Sequence, residues 1–172
     1  MRGSATFLAI FLIAASLVGA DDGIRRPPMD RDSGRYLYQA VVPVEGVAAA
    51  ELYSRAKAWV AVTYRSANSV LQLDDASSGR LIAKGNYPVF FMLNNAWINH
   101  TLTIEVKEGR YRYTLTDFVF DNGAWSAPLE QDKKFVGGRK GLFARVCEAA
   151  EASVVSLAEA MKKPTPAADT KW

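Results

Sequence analysis

Trp97–Phe120 reads WINHTLTIEVKEGRYRYTLTDFVF. Apolar and polar residues alternate along it, and Glu108-Gly109 separates two such runs, the pattern of a β-hairpin with a two-residue turn. That turn sets Val106 opposite Tyr111, Ile104 opposite Tyr113, Leu102 opposite Leu115 and His100 opposite Asp117 on one face. On the other face Lys107 meets Arg110, Glu105 meets Arg112, Thr103 meets Thr114 and Thr101 meets Thr116. One face is apolar and the other polar, as a sheet covered on one side requires, and a slip of one residue would destroy the separation. Glu105–Arg112 and the threonine pairs each contribute roughly 0.2–1 kcal/mol across the strands. Lys107–Arg110 is the one unfavourable pair, and it lies beside the turn where water screens it.

The register places His100, the sole histidine, on the apolar face opposite Asp117. A buried polar pair survives when each group satisfies the other, and removing one partner costs about 3–5 kcal/mol. His100 and Asp117 are therefore expected to form a structural polar pair near the end of the sheet. Two other readings stand beside it: a general base oriented by a carboxylate, and a bulge that turns Asp117 outward. The parity of Phe118 and Phe120, which fall on the nominally polar side, points to such a bulge.

Ahead of this hairpin, Arg35–Val44 (RYLYQAVVPV) reads as a strand, with Pro43 marking an edge or a break. From Val47 to about Arg65 the chain is rich in Ala, Leu, Glu and Lys. Its stripe of Leu52, Tyr53, Ala56, Trp59, Val60 and Thr63 at helical spacing predicts a helix, with Trp59 as core anchor. Ser69–Asp74 and Arg80–Leu93 read as strands joined by a turn, with Leu73 opposite Leu81, Leu71 opposite Ala83 and Asp74 opposite Arg80. Pro88 inside the second argues for an edge or a bulge there. After the hairpin, 121–138 is a long connection containing Trp125, and loops of that length are often functional or mobile. Arg139–Lys163 reads as a second helix, buried through Leu142, Val146, Ala149, Ser153, Leu157 and Met161 and stopped by Pro164. The order β-α-β-β-β-β-α predicts an α+β, two-layer fold: one antiparallel sheet with both helices on one face.

The ends of the chain carry a different signal. Arg2, an apolar run from about Ala5 to Val18, and Val18-Gly19-Ala20 before Asp21-Asp22 describe a secretory signal peptide over residues 1–20. An uncleaved anchor is the alternative. Either way the chain is expected to be exported to the periplasm or the exterior, meeting the membrane only through this segment. Residues 21–34 are polar, with Pro27-Pro28, and read as a flexible leader. Residues 35–163 then form a single domain, large enough for a real core, and 164–172 a disordered tail. The formal charge of +3 falls to about +2 without Arg2, the one charged residue before Asp21. So weak an excess does not demand a polyanionic partner. Cys147, the only cysteine, has no intramolecular disulfide partner and reads as a small core hydrophobe.

Three segments, ELYSRAKAWVAVTYRSANSVLQLDD, GRLIAKGNY and YRYTLTDFVFD, follow one another at a telling spacing over most of Ala40–Asp121. Through them the chain resembles the secreted bacterial domain-of-unknown-function family 4468, described as having a fold like the TATA-binding protein. The resemblance implies a strand-helix-four-strand-helix order. It implies no catalytic residue, cofactor or ligand, and a fold's name is no warrant for function.

The residues themselves point away from the familiar enzyme classes. One His and one Cys far apart give no metal-ligand spacing, and Gly137-Gly138 lacks the remaining elements of a phosphate loop. No cofactor is expected, and nucleic acid is excluded as a partner by the export signal and by Glu105 within the outer basic patch. Three functions remain: a non-catalytic envelope binding module for an unknown small molecule or envelope protein, a structural or assembly protein of the envelope, and a hydrolase built on His100 and Asp117. For the first, the aromatic residues Phe90, Phe91, Trp97 and Trp125, together with Arg112, are the expected binding residues.

Overall fold

In the computed structural model, which describes residues 22–64 and 71–164, the strands β4 (Asn94–Lys107) and β5 (Arg110–Asp121) pair as the alternation requires, from Lys107–Arg110 up to Thr101–Thr116. Above that point the register shifts by one, so that Asn99 faces Val119 and Ile98 faces Phe120. Asp117 and Phe118 together oppose His100, and Asp117 adopts the left-handed conformation at φ 57°. This is a β-bulge. It returns Phe118 and Phe120 to the inner face, where both are fully buried.

The rest of the sheet is built on this pair. β3 (Arg80–Phe91) lies along β4, β2 (Leu71–Asp75) along the start of β3, and β1 (Tyr38–Pro43) along the first half of β5. A short β6 (Ser126–Pro128) pairs with the last residues of β5, beyond the end of β1. The six-stranded antiparallel order is β1-β5-β4-β3-β2, with β6 off that path. Helices α1 (Ala49–Thr63) and α2 (Arg139–Lys162) cover one face, giving the two-layer α+β fold. Inner residues from β3 (Leu81, Ala83, Tyr87, Val89, Phe91) and β4 (Ala96, Ile98, Leu102, Ile104, Val106) meet Leu52, Ala56, Trp59 and Val60 of α1 and Leu142, Val146, Leu157 and Met161 of α2 in a single core. Cys147 is buried with them, which raises its thiol pKa. Arg55, on the α1 stripe, is buried because it caps α2: Nη1 donates to the Met161 carbonyl at 2.7 Å.

Four details differ from the sequence expectations. Asp75, not Asp74, stands opposite Arg80, because a bulge between Leu71 and Leu73 shifts the pairing. Asp74 turns to the helix side and binds Tyr53 and Lys57 of α1. Thr63 is exposed rather than part of the buried stripe. The connection expected over 121–138 is fastened by β6 and a 3-10 turn at Asp132–Phe135, with Leu129 and Phe135 fully buried. Finally, the segment expected as a flexible leader is tied down from Asp22 onward. Arg26 bonds Asp22 and Asp132 and lies over the Phe143 ring, Arg139 reaches the same two carboxylates, and Arg25 pairs with Glu151. The signal peptide expected at 1–20, the strand start expected at Ser69 and the tail after Pro164 lie outside the described residues.

Candidate functional site

His100 is the one buried imidazole, and its surroundings decide between its three readings. Asp117 is not its partner: the bulge swings that carboxylate to the surface, where Arg35 Nη1 holds it at 2.6 Å. The expected His100–Asp117 pair is thus replaced by contacts with neutral groups. Tyr64, at the end of α1, lies 3.1 Å from Nε2, and the Ile98 carbonyl lies 3.4 Å from Nδ1. One tautomer satisfies both, with Nδ1–H donating to Ile98 and Nε2 accepting the Tyr64 hydroxyl proton. Tyr87 stacks on the ring at 4.1 Å. Gly85 makes this packing possible, since a Cβ there would fall 2.1 Å from the Tyr64 ring and 2.7 Å from His100 Nε2. Burial lowers the His100 pKa to about 4. The imidazole is neutral, enclosed by aromatic rings and without a carboxylate to orient it.

Among the described residues, no helix covers the opposite face of the sheet. Its strands present Thr101, Thr103, Thr114 and Thr116, with the Glu105–Arg112 pair closed by contacts of 2.6 and 2.8 Å. Arg112 lines an open hollow of about 400 Å³ together with Val41, Glu105, Lys107, Arg110 and Tyr111. Of the expected binding residues, Arg112 alone belongs to it.

The four aromatic residues do not form one cluster, because neighbours in a strand point to opposite faces. Phe90 and Trp97 emerge on the outer face, 57% and 43% exposed. Phe91 is buried against Phe120 and Phe135. Trp125 packs its ring on Phe120 and Phe135 at the end of the core, one side open to solvent. Beyond Phe91, the β3–β4 turn exposes Met92 and Leu93, and Val136 is exposed on the adjoining loop; no sequence period marks these three. Among the described residues no three His, Cys, Asp or Glu side chains gather to hold a metal ion, and no helix is long and apolar enough to cross a membrane.

An antiparallel sheet with two helices packed on one face is an arrangement shared by the TBP-like class of α+β folds. Residues 38–121, from β1 to the end of β5, match the family model described as "Domain of unknown function (DUF4468) with TBP-like fold". Two solved structures share the architecture. A TBP-like protein from Parabacteroides distasonis ATCC 8503 superposes with a TM-score of 0.67 at 14% identity, over 80% of this chain and 98% of that one. A DUF4468 family protein from Bacteroides ovatus ATCC 8483 gives 0.64 at 16% identity, over 83% of this chain and 94% of that one. No curated protein matches the sequence.

Proposed function

We propose that this chain is an exported, non-catalytic binding module of the cell envelope that engages its partner through the outer face of the sheet. One observation carries the reading. Among the described residues, nothing covers a broad strand surface that bears threonine hydroxyls, the Arg112–Glu105 pair and the hollow beside it, while both helices pack on the other face. The hydrolase reading loses its support because His100 is neutral in the core and Asp117 is spent on Arg35. The openness of the face favours a second reading, a structural or assembly protein, since small-molecule sites are typically concave and bury most of their ligand.

Photo-crosslinking in the intact envelope tests the proposal. A crosslinker is placed at Thr103, at the centre of the outer face, and separately at the exposed Val155 on α2. The recovered chain is then weighed by native mass spectrometry. Adducts from Thr103 but not from Val155 are expected, a small-molecule mass supporting the module and a protein mass the assembly role. Crosslinks from Val155 alone, or from neither position on an unliganded chain, overturn it.

A further inference from the structure

The end of the molecule at the β3–β4 turn has a composition that its own folding does not explain. Phe91 pairs with Asn94, so Met92 and Leu93 form a two-residue hairpin loop, and both sit at positive φ, 47° and 69°. Such loops favour Asn-Gly, because bulky residues are strained in the left-handed region. Neither side chain offsets that strain by burial, for Met92 is 61% and Leu93 87% exposed. The Val136 loop lies alongside: a Cβ at Gly137 would sit 3.8 Å from the Met92 methyl, and Gly138 abuts the Phe91 ring. Val136 is itself 70% exposed.

Three cations flank this apolar tip. Lys133, Lys134 and Lys140 are exposed, and none takes part in an ion pair among the described residues, while the nearby Asp132 is already held by Arg26 and Arg139. The N-terminal segment arrives at the same end. Asp22, four residues after the apolar run that ends at Val18, is fastened to Arg26 and Arg139, one residue from Lys140. Trp97 and Trp125 stand half-exposed behind the tip, the aromatic type that settles at the headgroup level of a bilayer.

From this combination we infer that the β3–β4 tip and the Val136 loop dock on an anionic lipid surface. Met92, Leu93 and Val136 enter the boundary between headgroups and acyl chains, and Lys133, Lys134 and Lys140 meet the anionic headgroups. The surface is distinct from the centre of the outer sheet face, so docking would hold the module on the membrane with that face free. It adds a membrane contact beyond the expected signal peptide.

Sedimentation with vesicles tests the inference on the exported chain, residues 21–172. The vesicles are phosphatidylcholine alone, or phosphatidylcholine mixed with phosphatidylglycerol. Wild type is expected to sediment with the mixed vesicles and to be released by high salt. Met92→Asn with Leu93→Gly should melt at a higher temperature than wild type, because the turn is relieved, and yet lose binding. Lys133→Gln with Lys134→Gln should leave melting unchanged and weaken binding about thirtyfold. Wild type that stays in the supernatant with both vesicles overturns the inference, and so does an Asn-Gly variant that binds as wild type does. A charge variant with unaltered affinity overturns it as well, since the anionic surface would then play no part.

Discussion

At the scale of single residues, His100 makes the stability of the protein depend on pH in a definite window. Folding lowers its proton affinity, from a pKa of 6.5 to about 4, because burial penalises the imidazolium. Between those values the unfolded chain takes up a proton that the folded chain refuses. Stability is therefore full above about pH 6.5 and falls as pH drops towards 4, by about 3 kcal/mol in all. Since His100 is the sole histidine, the effect is easily isolated. Denaturant melts of wild type and His100→Leu should differ in slope between pH 6.5 and 4, with the variant flatter. The imidazole proton signals of the folded protein should not move until the pH approaches 4; a transition near 6.5 would contradict the enclosed geometry. The chemistry of this residue was half legible in the sequence. Alternation put it on the core side, but Tyr64 and Tyr87, its real partners, lie 36 and 13 positions away in the chain with no spacing to announce them.

At the scale of elements, the bulge at Asp117 decides which way the last third of β5 faces. The sequence carried its signature, because Phe118 and Phe120 break the parity set by Tyr111, Tyr113 and Leu115. What parity alone does not locate is the extra residue, and an aspartate at φ 57° with Arg35 to hold it identifies the place. Pairing straight through Asp117 without the bulge would turn Phe118 and Phe120 to solvent, whereas deleting Asp117 would restore an unbroken register with both rings still on the inner face. With each buried phenylalanine worth about 3–5 kcal/mol, the deletion variant, which keeps both rings buried, is expected to retain cooperative melting, and Asp117→Asn should melt within a few degrees of wild type. The slip in β2 has a similar origin: Asp75 caps Ser77 and Ser78 through its carboxylate, so the turn starts one residue later than hydrophobic pairing alone suggests. The four aromatic residues are divided for a simpler reason. Phe90 and Phe91 are neighbours in sequence and so, in a strand, belong to opposite sides of the molecule.

At the scale of the whole molecule, the fold was legible because its elements are long and strongly periodic. The segments that periodicity does not describe were not: the Arg26–Asp132 and Asp22–Arg139 contacts and the placing of the Val136 loop beside Met92 arise from pairings distant in the chain. A distant pairing within the sheet also has a consequence in time. β2 to β5 are linked by short turns and can zip together from neighbour to neighbour, but β1 finds its partner on β5 roughly seventy residues later. A chain made from its N-terminus thus holds β1 ready long before β5 exists. Closing that loop comes late and is slow relative to hairpin formation. Val42→Ala, which trims a buried β1 side chain, should accelerate unfolding and leave the refolding rate nearly unchanged, whereas Ile104→Val in β4 should slow refolding. Stopped-flow chevrons of the two variants would reveal the order of assembly. Until it is complete, the edge of β5 away from β4 stays open, so the interval in which this protein is most exposed to misassembly is set by the arrival of its first strand.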